Sequence, residues 1–179
     1  MEYINKLKHW QIFMILGTGY ILHLVLSGTN FTIGKITSTE LSTLIGIITI
    51  IMFFLWVLII GLYLNSIPEN PYKFKKWILV ISIFCSIAGY SELLLQRTGN
   101  ENYIVPFWIS FMLTLLTLLG LFYTFYNVPK SLKSIELDKE SKFSEYIVSA
   151  ILLYAFPIGV WFIQPRLNRI YEAKKMKEK

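Results

Sequence analysis

The chain has 179 residues, of which 55% are hydrophobic and 16% are charged, and its formal net charge is +6. A soluble domain has about 25% charged residues, so this composition excludes an ordinary soluble protein. One cysteine, Cys85, excludes an internal disulfide, and two histidines beside it make a poor set of metal ligands. We therefore expect no cofactor and no metal.

Five apolar blocks follow one another along the chain, at 10–27, 41–64, 77–95, 103–126 and 146–163. A helix needs about 17–25 apolar residues to cross the hydrocarbon core. Each block is apolar all round, whereas the strands of a membrane barrel are about ten residues long and alternate in polarity. The first block follows a short basic segment but is long for a signal peptide, so we expect it to be retained as a span.

The fifth block has the length of a span but contains Pro157 and Gly159. If all five blocks cross, the lysines and arginines divide nine against eight between the two sides. If only the first four cross, fifteen lie on the side of the N-terminus and two on the other side. Lysine and arginine collect on the cytoplasmic side. The count favours four spans with a cytoplasmic N-terminus and a re-entrant or in-plane fifth block; an ordinary kinked fifth span is the alternative.

The sequence thus predicts an all-α membrane protein, a four-helix transmembrane bundle plus a fifth hydrophobic segment broken at a proline. The bundle occupies 1–128, and 146–163 is the fifth segment. A cytoplasmic charged arm at 129–145 is expected to form a short surface helix or an extended arm, and 164–179 a basic cytoplasmic tail. The predicted location is the bacterial inner membrane.

Glu92 is the only charged residue inside the first four blocks. An intramembrane carboxylate indicates a functional site or a buried pair. In the four-span topology His23 and Glu92 lie at similar depth, so we predict that they form a polar pair. A separately satisfied histidine and a hydrated carboxylate near the membrane surface, close to Arg97, are the alternatives.

Hydroxyl side chains follow one face of the second block and one face of the fourth. Such stripes line a wet path in an oligomer or serve as contacts between helices. They comprise Ser42 and Thr49 in the second block, and Ser110, Thr114, Thr117 and Thr124 in the fourth.

Basic residues cluster directly after the fifth block, at Arg166, Arg169, Lys174 and Lys175. Such clusters bind anionic lipid headgroups, and the charged arm offers a surface for a cytosolic partner. Nucleic acid is not expected as a partner, because the tail lacks the interleaved aromatic residues of an RNA-binding module.

The last third of the chain contains a distinctive run. It comprises Phe156, Pro157, Ile158, Gly159, Trp161, Gln164, Pro165, Arg166 and Asn168. The segment 128–171 resembles the ending of many small, uncharacterised Bacteroidota membrane proteins. That resemblance implies a lineage and a membrane location, and no activity. In size and helix count alone, the chain also resembles membrane components of bacterial antiphage systems.

No phosphate-binding loop, HExxH or Gly-x-Ser-x-Gly motif is present. The leading hypothesis is therefore a non-enzymatic membrane protein. It is either an oligomeric pore-forming or membrane-perturbing component, or an accessory subunit of a larger system such as an antiphage defence. The alternative is an intramembrane enzyme or lipid-handling protein that uses Glu92 and His23.

Overall fold

A computed structural model describes residues 9–33, 36–98 and 105–177. The six helices in these ranges are α1 His9–Ser27, α2 Ser38–Ser66, α3 Lys76–Gln96, α4 Phe107–Leu137, α5 Phe143–Tyr154 and α6 Ile158–Lys177. Two short antiparallel strands, β1 Thr32–Ile33 and β2 Ile36–Thr37, join α1 to α2. The predicted all-α architecture, with four long helices and a broken fifth hydrophobic segment, is confirmed.

Helices α1 to α4 are long and apolar enough to cross a bilayer. At 1.5 Å per residue, α2 and α4 are about 43–46 Å long, more than the roughly 30 Å of a hydrocarbon core. Large apolar side chains on the outer faces of these helices remain exposed, among them Leu55, Phe84 and Phe122. Exposed apolar surface of this extent is what a helix bundle presents to lipid, which supports a multi-pass membrane protein.

Helix α4 and helix α6 both continue beyond the limits predicted from the sequence. The predicted charged arm begins as helix, because α4 runs through Pro129 to Leu137 and stops at Asp138, which has a positive φ of 53°. The predicted basic tail is also helical, since α6 runs through Pro165 to Lys177. Tertiary contacts explain the extension, because Ile135 and Leu167 pack on the hydrophobic core.

The two ends of the bundle differ in what they contain. At one end, here called the basal end, α1 begins, α2 ends and α4 ends. The opposite, distal end carries the strand pair and the start of α2. There Thr37 and Glu40 form a capping box, in which each side chain binds the other residue's backbone N–H.

Helices α5 and α6 form an antiparallel hairpin that enters from the basal end and returns to it. The turn lies at 155–157, and the ring of Phe156 lies 4.7 Å from that of Phe53, near the middle of α2. On the way back, the Trp56 indole donates to Gln164 and the Tyr171 ring lies 6.4 Å from that of Tyr63. The hairpin therefore reaches about half-way through the bundle.

This path predicts which positions share a side of the membrane. With Cys85 replaced by serine, cysteines at Glu69 in the α2–α3 loop and at Glu172 in α6 should react together with a membrane-impermeant maleimide. A cysteine at Thr29, at the distal end, should react with the maleimide only when the reagent is on the other side of the membrane. Labelling intact cells and opened membranes measures this. If Glu172→Cys reacts from the same side as Thr29→Cys, the second arm crosses and the re-entrant hairpin is excluded.

Gly159 allows the two arms of the hairpin to meet, because a Cβ there would lie 1.6 Å from the backbone oxygen of Leu152. We predict that Gly159→Ala lowers the free energy of unfolding by about 1–3 kcal/mol, the usual cost of overpacking. Gly17→Ala is the matched control, since its Cβ would meet only the Phe13 ring at 3.6 Å. An unfolding titration in mixed micelles compares them; equal stability of the two variants contradicts the close contact.

Candidate functional site

The run of residues in the last third of the chain attaches the hairpin to the bundle. The Trp161 ring lies 5.2 Å from that of Phe13 in α1. The Gln164 carbonyl oxygen accepts from Trp56 of α2 at 3.1 Å, and its amide donates to Asn168 at 3.0 Å. Each of these polar side chains is thus satisfied where the hairpin meets its neighbours, as membrane-buried polar groups require.

Arg166 completes this attachment. Its guanidinium donates to both carboxylate oxygens of Glu136 in α4, at 2.5 and 2.7 Å, and to the Ser149 hydroxyl of α5 at 2.8 Å. Lys133 donates to the same carboxylate at 3.2 Å. The sequence assigned Arg166 to lipid headgroups or a partner; the structure instead places it in a bidentate ion pair within the chain.

The other basic residues of the predicted tail have different surroundings. Arg169 is exposed and Lys174 is half-buried. The side chain of Lys175 lies outside the described residues. Their contact with lipid headgroups or a partner stays a prediction.

A cavity of about 470 Å³ lies above the turn of the hairpin, towards the distal end. Because the hairpin stops half-way, it leaves the distal half of the space between α1, α2 and α3 unfilled. Most of the lining is aromatic or aliphatic. The aromatic members are Tyr20, Phe53, Phe54, Tyr90, Phe125, Tyr154 and Phe156.

The polar members of the lining are His23, Thr49 and Arg97. The His23 Nδ1 atom lies 2.9 Å from the backbone oxygen of Ser42. Nδ1 also lies 3.0 Å from the Ser42 hydroxyl, so this ring nitrogen contacts both oxygen atoms of Ser42. The Ser42 hydroxyl in turn donates to the His23 backbone oxygen at 3.0 Å, so the two residues fasten α1 to α2 at the edge of the cavity.

Glu92 occupies a different place, between α3 and α4. It is buried, and its carboxylate accepts from the Ser110 hydroxyl at 2.6 Å and from the Gln96 amide. His23 and Glu92 therefore lie in the same half of the bundle, as expected, but each has its own hydrogen-bond partners. The structure gives no hydrogen bond between them within the described residues, and Glu92 is absent from the described cavity lining.

The predicted hydroxyl stripes serve mainly as contacts between helices. Thr49 donates to its own helix at Ile45 and packs closely against Gly19 of α1. Thr117 donates to the backbone oxygens of Leu113 and of Cys85 in α3, at 2.7 and 3.1 Å.

The remaining two hydroxyls of α4 differ from each other. Thr114 is exposed and donates to the Ser110 backbone oxygen at 2.9 Å. Thr124 is fully buried, and its hydroxyl has no hydrogen-bond partner within the described residues. The α4 hydroxyls therefore do not form one continuous polar path.

A second polar cluster, at the basal end, was not predicted. The Tyr72 hydroxyl donates to Asn127 at 2.7 Å, and burial raises the pKa of this phenol, against the opposing effect of the nearby Lys130 charge. Lys130 lies 4.1 Å from the centre of the Tyr72 ring and donates to Glu140 at 2.7 Å. Every named polar group here has a partner, so the cluster joins the α2–α3 loop to α4.

No family model, curated protein or solved structure matches this chain. Across residues 9–33, 36–98 and 105–177, no group of three histidine, cysteine, aspartate or glutamate side chains is placed to hold a metal ion. The cavity and the chemistry of its lining are therefore the features that indicate a function.

The sequence indicated two lining residues, His23 by its polarity and Thr49 by its place in a stripe. The aromatic lining was not predicted, because aromatic residues in an apolar block have no individual signal. The turn at Phe156 was the available clue, since a proline-broken segment that stops inside a bundle leaves space beyond its turn.

The Arg166 ion pair yields a test of the hairpin's attachment. Arg166→Lys removes the bidentate geometry and should lower the free energy of unfolding by about 1.5–3 kcal/mol, the value of hydrogen bonds to charged groups. Arg169→Lys is the matched control, because Arg169 is exposed and such surface changes stay within about 0.5 kcal/mol. Chemical unfolding in micelles measures both, and equal effects would show that Arg166 does not attach the hairpin.

Proposed function

We propose that this chain is a non-enzymatic membrane protein that binds an apolar or amphipathic molecule from the bilayer in the cavity above the hairpin. The cavity is the observation that carries the proposal. Its volume of about 470 Å³ falls within the roughly 300–1,000 Å³ typical of small-molecule sites. Such sites are mostly apolar with a few polar groups that fix orientation, and this lining has that composition.

The distribution of polar atoms favours an amphipathic ligand. Thr49, His23 and Arg97 lie towards the distal end, whereas Phe53 and Phe156 form the floor above the hairpin turn. A molecule with one polar end and one apolar chain fits this gradient. Binding of such a molecule corresponds to the lipid-handling alternative, in which His23 lines the site and Glu92 does not.

The hydroxyl stripes support a binding or accessory protein better than a pore. Ser42 and Thr117 are buried in contacts between helices, so these side chains are not available to line a water-filled path. An enzymatic role finds less support than binding, because His23 and Glu92 have separate partners. A homo-oligomer or a cytosolic partner at the exposed basal residues remains compatible with binding.

The basal side is proposed to face the cytoplasm of a bacterial inner membrane. The re-entrant path brings the basic end of α6 to the basal end, beside the lysines of the α2–α3 loop. That arrangement supports the division of fifteen basic residues against two, which the charge rule assigns to a cytoplasmic basal side.

A photolabelling experiment tests binding. Purified protein in liposomes is irradiated with a long-chain alcohol that carries a diazirine in its alkyl chain, and labelled residues are mapped by mass spectrometry. Saturable labelling of cavity residues is expected. Ile50→Trp, which fills the cavity from α2, should reduce it about tenfold, since even one methylene in a filled pocket changes binding by that factor.

Ile48→Trp is the matched control, because Ile48 lies on the same helix but is 49% exposed; cavity labelling should persist in it. Excess unlabelled alcohol must suppress the wild-type signal, which tests the site without any substitution. If cavity labelling is absent, does not saturate, or is equal in Ile50→Trp and wild type, the binding proposal is wrong.

A further inference from the structure

A groove on the outer surface of the protein adjoins the cavity. This groove, of about 450 Å³, lies between α4 and α5. Tyr90, Leu121, Phe125 and Tyr154 line both the cavity and the groove. Among the described residues, these side chains lie between the cavity and the groove, and no helix backbone separates the two spaces.

The groove faces the region that lipid would occupy. Phe122 is 74% exposed, Ile151 is 60% exposed and Tyr154 is 70% exposed, and all three line it. The groove is almost entirely apolar, as a path for a hydrocarbon chain would be. Helix α5 is only 12 residues long, so beyond Tyr154 no helix of the hairpin covers the side of the cavity.

The opposite end of the cavity carries a positive charge. Arg97 follows the last residue of α3 and lines the cavity while remaining exposed. Within the described part of the chain, no carboxylate forms an ion pair with Arg97, and Glu92, one turn away, accepts from Ser110 and Gln96 instead. An arginine at this depth places its charged end at the headgroup level while its stem contacts apolar surface.

From these positions we infer that the occupant of the cavity is a membrane lipid with an anionic headgroup. The lipid comes from the distal leaflet and enters sideways through the groove between α4 and α5. Its headgroup binds Arg97 beside His23, and one acyl chain passes Tyr90 and Phe125 into the cavity. This inference rests on the proposed binding function and adds the ligand class and the route of entry.

Arginine suits this task because its planar guanidinium forms paired hydrogen bonds with phosphate oxygens. His23 uses Nδ1 for the Ser42 backbone oxygen, and its Nε2 has no hydrogen-bond partner within the described residues. That nitrogen can form a hydrogen bond with a headgroup hydroxyl, which both donates and accepts. The cavity and the groove each have a volume within the range of small-molecule sites, and they share four lining side chains, so we place one acyl chain across both.

The test compares two lipids with the same diazirine-bearing acyl chain, one a phosphatidylglycerol and the other a phosphatidylcholine. Each is present as a minor component of liposomes that contain the purified full chain. Cavity residues should be labelled about fivefold more by the anionic lipid, the factor expected for one arginine near an anionic headgroup. Arg97→Gln should remove the preference, and Arg169→Gln, at the basal end, should keep it.

The route is tested with the same lipids. Leu121→Trp narrows the passage between the groove and the cavity and should reduce cavity labelling by both lipids. Leu119→Trp, on the lipid-facing side of α4, should leave that labelling unchanged. Equal labelling by the two lipids in wild type, or a preference that survives Arg97→Gln, overturns the headgroup assignment. Unchanged labelling in Leu121→Trp overturns the lateral route. If one of these results is found while the uncharged alcohol still labels the cavity of the wild-type protein, the proposed binding function stands. If the alcohol does not label that cavity, the binding function and the lipid assignment are both wrong.

Discussion

The structure depends on covering a break in the backbone at mid-depth in the bundle. Between α5 and α6 the helical hydrogen bonds are interrupted at Pro157, which has no N–H to donate. Lipid offers no substitute partner, so irregular backbone at this depth persists only where protein surrounds it. Local hydrogen bonds satisfy the neighbouring N–H groups, such as Phe156 to the Tyr154 oxygen at 2.7 Å, and the Phe53 and Tyr20 rings enclose the turn.

The same break determines the shape of the cavity. A straight fifth span would fill the distal half of the bundle and would place the basic end of α6 on the distal side. Because the chain turns back at Phe156, the space beyond the turn remains open, and aromatic side chains from α1, α2, α3, α4 and α5 face it. The hairpin thereby produces both the single basic end and the candidate ligand site.

The polar contacts are of two kinds, those that attach the hairpin to the bundle and those that join neighbouring helices. Arg166 with Glu136 and Gln164 with Trp56 hold the hairpin against the bundle. His23 with Ser42 and Glu92 with Ser110 join neighbouring helices near the distal end. The polar side chains in these contacts have hydrogen-bond partners within the chain. Arg97 has no carboxylate partner among the described residues, and we therefore expect it to bind a ligand.

The sequence by itself determined the all-α membrane architecture, the four long spans and the break at Pro157. Hydropathy and the missing donor of proline are properties of short segments, so they can be identified without the fold. The pairing of His23 with Ser42 instead of Glu92, the ion pair of Arg166 and the cavity were decided only by the tertiary structure. Those features depend on how each helix is rotated and on contacts such as Trp56 with Gln164, which lie 108 residues apart. No local pattern specifies that rotation, because in an all-round apolar helix any face can be directed inward.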